Sequence, residues 1–219
     1  MTSTRPGTRP GTRPGTRLGL HAVATYVLAG PQYAASGTIR LRVDDAGVST
    51  VADPALLLTG AAVVAAGGAE TGLAGHTSRT LAESLRLSPR SLADVYPDQP
   101  DLGLDDPLDV DPAQAWELIA ALATGASALS GLGAAEPPVL WPEHFDVGVS
   151  LDEVNYGVSP GDGGVPEPYA YVGPWTRPEQ DDFWNQPFGA ARAMADLGGV
   201  DEVLAFFREG QARLAGQPG

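Results

Sequence analysis

Between Val139 and Ala190 the chain gathers residue types able to do chemistry: three of its four Trp (Trp141, Trp175, Trp184), one of its three His (His144), and carboxylates set among aromatics. From His144 to Leu151 polar and apolar residues alternate. An extended strand would turn Phe145, Val147, Val149 and Leu151 to one side and His144, Asp146, Gly148 and Ser150 to the other. A second strand, Tyr169 to Gly173, puts Glu167, Tyr169 and Tyr171 opposite Ala170 and Val172. Pro168 restricts Glu167 to extended backbone and so sets its direction. If the apolar residues of both strands share the core, then His144, Asp146, Glu167, Tyr169 and Tyr171 share the other face, and the segment 175–188 lies across it as cover. An ionisable cluster roofed by aromatics has shifted pKa values and a shape that holds a ligand.

Two chemistries fit this set. Trp141, Asn155, Tyr156, Asp162, Tyr169, Tyr171, Trp175 and Trp184 suit a face that binds a small molecule or a protein partner, and this is the leading expectation. The alternative is a small hydrolase-like or metal-dependent enzyme with His144, Asp146 and Glu167 as acid/base groups or ligands. Imidazole and carboxylate suit Zn, Mn or Fe, but no H-E-x-x-H or H-x-H spacing is present, so no metal site is assigned and the cofactor is left open. No G-x-S-x-G elbow marks a serine nucleophile. Plainer roles compete. A His among aromatics is commonly a hydrogen-bonded structural residue, Asp162 after Pro160-Gly161 suits a turn, and the aromatics suit core or cover. Exposed aromatics around Trp184 would instead make a protein interface. His21 and His76 have no carboxylate pattern near them and are read as incidental.

The elements that must position this stretch are legible from periodicity. Leu20, Val23, Ala24, Val27 and Leu28 recur at helical spacing, with Gly30-Pro31 expected to end the helix. Ile39, Leu41 and Val43 alternate with Arg40 and Arg42 as a half-buried strand, and Asp44 to Gly47 turns it back onto 48–51. Short strands are expected near 56–58, 61–66 and 70–73, and a short helix over 80–87. Gly67-Gly68 lacks the Lys-Ser/Thr ending of a phosphate loop and reads as a turn. The Asp-rich run before Asp111 lacks the spacing of a calcium loop. Asp111 then caps the best helix, with Pro112 at its first position, Gln114 at the third, and Trp116, Ile119, Ala120 and Ala123 as the buried stripe. Val200, Val203, Leu204, Phe207 and Leu214 form a last amphipathic helix. Together these predict an α+β fold, an antiparallel sheet packed by two to four helices in a single domain over residues 18–219.

Composition narrows the partners. The 219 residues carry no Cys, which removes disulfides and thiolate chemistry, and all 13 basic residues are Arg. Residues 1–17 hold four Arg and no acid, so the net charge of −14 becomes −18 (−14 − 4) over the remainder. A body so acidic repels phosphate backbones, which excludes nucleic acid as a partner. No run reaches the length of a membrane span, so no membrane is expected either. The opening repeat of Thr-Arg-Pro-Gly has nothing apolar to bury, so residues 1–17 are expected to be a disordered tail. The apolar stretch after it contains His21, Thr25 and Tyr26, poor for a secretory signal, and a cytoplasmic location follows.

The segments LWPEHFDVGV, NYGVSPGD, PEPYAYVGPW and FWNQPFGA resemble those of an uncharacterised family of actinobacterial proteins of about this length. The likeness runs from about Leu18 to the end and is most specific over 140–190. More loosely, the order of elements is similar to a second bacterial family of unknown function. The resemblance implies a cytosolic, single-domain bacterial protein and brings no activity with it. The Thr-Arg-Pro-Gly tail departs from that pattern.

Overall fold

The computed structural model describes residues 14–216, and its first element is helix α1 (Pro14–Val23). This moves the domain boundary expected at residue 17. Thr16 is buried, and its hydroxyl accepts from the Asp111 N–H at 3.1 Å and donates to Gln114 at 3.3 Å, so residues 14–17 belong to the folded body. Residues 1–13 of the expected tail lie outside the described residues. The helix also does not stop at Gly30-Pro31. It widens into a π-helical segment, Ala24–Ala29, and continues as α2 (Gly30–Ser36), with the Gly30 N–H bonded to the Thr25 carbonyl five residues back. The wider hydrogen-bonded ring accommodates a proline that a regular helix would reject. Only glycine fits at position 30, because a Cβ there would stand 2.3 Å from the Arg90 carbonyl oxygen. Leu20, Val23, Ala24, Val27 and Leu28 are all fully buried, as their spacing predicted.

Ten strands form one antiparallel sheet made of two meanders joined edge to edge. The first runs β1 (Leu41–Asp44), β2 (Gly47–Thr50), β3 (Leu56–Leu58), β4 (Ala62–Ala65) and β5 (Glu70–Gly72). The second runs β6 (Val139–Trp141), β7 (Asp146–Leu151), β8 (Val154–Ser159), β9 (Tyr169–Pro174) and β10 (Ala190–Ala193). Strands β6 and β1 meet through Leu140 and Leu41, which places the first meander beside the start of the second.

The intervening chain holds α3 (Ser78–Ser84) and α4 (Pro112–Ser130). Asp111 caps α4 by accepting from the N–H groups of Ala113 and Gln114 at 3.0 and 3.1 Å. Its buried face is Ala115, Leu118, Ile119, Leu122, Ala123 and Leu129. Trp116 and Ala120, expected in that stripe, face outward, and Trp116 lies over Gly60 at the sheet's far half, where a Cβ would meet its ring at 2.5 Å. After the short α5 (Met194–Leu197), α6 (Val200–Ala215) buries Val203, Phe206, Phe207 and Gly210 and leaves Val200 exposed. Helix α4 packs on β1, β7 and β8, and α6 packs on α4 and β9. Close approach there rests on small residues, since a Cβ on Gly125 would lie 2.5 Å from Val158, and one on Gly210 would lie 2.9 Å from Val172. The result is an α+β domain with its helices counted as five when α1 to α2 is taken as one run, more than the two to four expected. No described helix is long and apolar enough to cross a membrane.

Candidate functional site

Strand register decides which side chains meet. On the helix-facing side, Val147, Val158, Tyr156, Ala170 and Val172 are buried against α4 and α6, so the expected parity of Val147, Ala170 and Val172 is correct. On the other side Trp141 pairs with Asp146, Ser159 with Tyr169, and in the next row Gly148 pairs with Gly157 and Gly157 with Tyr171. That row has a consequence. With no side chains on Gly148 and Gly157, the Tyr171 ring lies flat across β8 and its hydroxyl arrives at β7. A Cβ on Gly157 would stand 2.4 Å from the hydroxyl oxygen and 2.5 Å from Cζ, and one on Gly148 would stand 3.2 Å from the hydroxyl. The hydroxyl donates to Asp146 Oδ2 at 2.5 Å.

Asp146 is only 9% exposed, and its other oxygen, Oδ1, is buried with no hydrogen-bond partner. Burial pushes this carboxyl above its ordinary value, against the opposing pull of the Tyr171 hydroxyl, of His144 and of its own backbone N–H, while nearby Glu143 adds to the rise. The Tyr171 phenol is pushed well up in turn, first by burial and then by the negative charge of Asp146.

A second tyrosine–aspartate pair sits on the same strand. Tyr169 donates to Asp162 Oδ2 at 2.5 Å, and Asp162 Oδ1 accepts from the N–H groups of Gly164 and Val165 at 2.6 and 2.8 Å. Burial works to raise this carboxyl, but the Tyr169 bond, the two backbone donors and the charge of Arg17 together hold it below its ordinary value. Burial and Asp162 push the Tyr169 phenol up. Asp162 therefore does organise its turn, as its position after Pro160-Gly161 suggested, with Gly161 at the positive φ (101°) the turn needs.

The N-terminal helix supplies what the sequence reading left out. The Arg17 guanidinium donates to the Gly161 carbonyl at 3.0 Å. His21 Nε2 lies 2.8 Å from the Pro142 carbonyl, which can only accept, so this nitrogen carries the proton. Thr25 donates to the same carbonyl at 3.0 Å, and the Phe145 ring stacks on His21 with centroids 5.8 Å apart. Burial, helped by the Arg17 charge and opposed by the Pro142 bond, brings the His21 pKa down to about 4. His21 thus lines the cleft and holds the turn at Pro142 in place. The signal available was the polar stripe Arg17, His21, Thr25, spaced by four along an otherwise apolar helix.

Those contacts pin residues 142–145 as a tight turn rather than the first part of a strand, and Phe145 takes the left-handed conformation (φ 54°) within it. His144 consequently sits on the turn, its side chain 57% exposed and 3.7 Å from the Glu143 carboxylate. Glu167 does not join it: it precedes β9, is solvent-exposed and does not line the cleft, because strand parity does not extend back through Pro168. Of the proposed trio, the structure brings His144 and Asp146 to one cleft and leaves Glu167 outside.

The cleft has a volume of about 870 Å³ and reaches from Arg17 and His21 across Asp146 and Tyr171 to Trp175 and Phe188. Asn155 lines it, accepting from Ser150 at 2.7 Å and from the Trp175 indole at 3.4 Å. Phe188 stacks on Tyr169 at 6.3 Å and meets Tyr171 edge-on at 6.4 Å. A smaller concavity of about 260 Å³, bordered by Trp141, adjoins it at Asp146 and Tyr171. Trp141 itself carries the Arg40 guanidinium over its ring at 5.7 Å.

Two expected ligand-binding residues belong elsewhere. Tyr156 points to the helix side, edge-on to Phe207 at 6.0 Å, as its pairing with Val172 requires. Trp184 is 3% exposed and packs on Phe183, which packs on Phe206 of α6, so it forms core and not an exposed interface. The segment 175–188 is therefore divided between cleft wall and core.

Among the described residues no group of three or more His, Asp or Glu side chains is placed to hold a metal ion. Comparison of the chain with protein-family models, with curated proteins and with solved structures yields no match.

Proposed function

We propose that the protein binds a small organic molecule in this cleft, anchored at Asp146. The observation that carries the proposal is a carboxyl nine-tenths buried at the cleft floor, with one oxygen held by Tyr171 and the other without a partner. Buried polar atoms are almost always paired, so a ligand group that bonds this carboxyl gains what the protein alone does not provide. Concavity and aromatic walls support a small molecule over a flat protein interface. The acidic charge of the chain supports a partner other than nucleic acid, and we place the protein in the cytoplasm of a bacterium as a member of the actinobacterial family its motifs resemble.

Thermal-shift screening of metabolites against the wild type and Asp146→Asn tests this. A ligand at 100 times its Kd stabilises by about 2.7 kcal/mol, which in a domain of this size raises Tm by about 5–10 °C. The shift is expected in the wild type and lost in the variant. Equal shifts in both proteins would move the site away from Asp146.

A second reading, an acid–base enzyme, is favoured by one observation: the Asp146 carboxyl is raised by burial while bonded to a phenol, as suits a proton donor. It would use Asp146 and Tyr171, with Glu143 and His144 beside them, in place of Glu167. Turnover of a bound compound in the wild type and its loss in Asp146→Asn would establish it.

A further inference from the structure

We propose that the ligand is an organic cation, a protonated amine seated between Asp146 and Glu143 with its carbon frame against Tyr171, Phe188 and Trp175. The inference rests on the small-molecule reading above and adds the charge and shape of what binds.

The first support is the balance of charge. Asp101, Glu143, Asp146 and Asp162 line the cleft against Arg17 and Arg177. Arg17 is bonded to the Gly161 carbonyl and lies near enough to Asp162 to act on its ionisation, so these two offset one another. Three carboxyls then face one guanidinium, Arg177, which is exposed. His21 is neutral above about pH 4 and adds no positive charge near neutrality. A carboxylate or phosphate ligand would meet Asp146 and Glu143 head-on, and the chain's net charge of −14 would draw cations in and turn anions away.

The second support is the kind of partner Asp146 lacks. Its Oδ1 accepts no hydrogen bond and is closed off from the cleft until the carboxyl rotates, and an ammonium that meets it offers three donors and a compensating charge. The third is the wall. Tyr169, Tyr171 and Phe188 cluster with ring centroids 6.3 to 6.4 Å apart, and the Trp175 indole, 65% exposed at the rim, donates to Asn155 at 3.4 Å. Aromatic faces beside a carboxylate are a recurring receptor for alkylammonium groups.

Binding has a proton balance. Asp146 pairs with the incoming ammonium as the carboxylate, so any proton the folded carboxyl carries passes to the solvent buffer, while the ammonium keeps its own protons. The titratable groups facing Asp146 are Tyr171 and Tyr169 from β9 and Glu143 and His144 from the turn. Neither phenol ionises near neutrality, since both are pushed upward.

The test is calorimetry on the full chain at pH 6 with three matched probes: 2-phenylethylamine, 2-phenylethanol and phenylacetate. Each is run in two buffers of different ionisation enthalpy. The amine should bind at least tenfold more tightly than the other two and release a fraction of a proton per site. Asp146→Asn should weaken the amine tenfold or more and abolish the release. Glu143→Gln should weaken the amine threefold or more and leave the alcohol unchanged. Alcohol or phenylacetate binding as tightly as the amine would overturn the cation assignment. If Asp146→Asn then weakened that binding, the cleft would remain a small-molecule site of another class; if it did not, both proposals would fall. Failure of all three probes to bind would also overturn the cation assignment.

Discussion

Two tyrosines two residues apart on β9 each donate to an aspartate at 2.5 Å, yet the two carboxyls are shifted in opposite directions. Asp162 collects two backbone N–H groups besides Tyr169 and lies near Arg17, so its charged form is favoured. Asp146 is deeper, has Tyr171 as its one side-chain donor and sits beside Glu143, so its carboxyl is pushed up despite the pull of His144 and of its own backbone N–H. The difference teaches that a tyrosine–aspartate bond does not by itself set a carboxyl's state. Depth, the number of further donors and the neighbouring charges do. One pair closes a turn, and the other leaves bonding capacity at the bottom of a cleft.

The largest expected effect follows from removing the better-bonded acid. Asp162→Ala strands two N–H groups and a phenol, and should cost about 2–4 kcal/mol in urea unfolding at pH 7. Asp146→Asn should cost less than about 1 kcal/mol, because an amide oxygen can still accept from Tyr171 and the buried group no longer carries a charge. Equal costs would erase the contrast. Gly157→Ala attacks the Asp146 pair from a distance. Its new methyl would stand 2.4 Å from the Tyr171 hydroxyl and 2.6 Å from the Val147 carbonyl oxygen, so it displaces the ring, strains the β7–β8 pairing and should cost about 1–3 kcal/mol. Tyr171→Phe should then add almost nothing in that background, a coupling that a double-mutant cycle reads directly.

The pH dependence sharpens the comparison through its sign. Asp162, lowered on folding, contributes stability that is present above its unfolded value near 3.8 and is lost as pH falls through its folded value. Asp146, raised on folding, contributes stability that is full below 3.8 and is lost as pH rises through its folded value. Unfolding curves of Asp162→Asn and Asp146→Asn between pH 2.5 and 8 should therefore diverge from wild type in opposite directions. His21 adds a separate rise. Between about pH 4 and 6.5 the unfolded chain binds a proton that the folded chain refuses, so stability climbs with pH across that window. The climb is on the order of 2 kcal/mol after allowance for solvent screening of a partly exposed ring. His21→Phe, which keeps the stacking on Phe145, should flatten it. Glu167→Ala, exposed and outside the cleft, should change stability by less than about 0.5 kcal/mol and leave ligand binding untouched.

Much of the scaffold was legible because it follows local rules. The Asp111 cap, the turn at Asp44 to Gly47 and the parity of Val147, Ala170 and Val172 depend on neighbours in sequence. What failed depended on partners far away. Gly30-Pro31 reads as a helix stop until Arg90 and the π-helical segment are known, and residues 14–17 read as tail until Asp111 and Gln114 are seen to hold Thr16. Trp116 looks buried by spacing, but the helix turns its Ala115 and Leu118 side inward instead. In the site, Asp146, Tyr169 and Tyr171 were placed together by parity alone. The role of Gly148 and Gly157 as the path for Tyr171 needed the register of three strands, and His21 needed the turn at Pro142, which lies 121 residues away.

The central claim is tested most directly by carboxyl carbon-13 NMR titration of Asp146 and Asp162 in the intact protein. Asp146 should titrate above the ordinary aspartate value of 3.8 and Asp162 below it, with the Asp146 value falling toward ordinary in Gly157→Ala as solvent reaches the carboxyl. An Asp146 value at or below that of Asp162 would contradict the account.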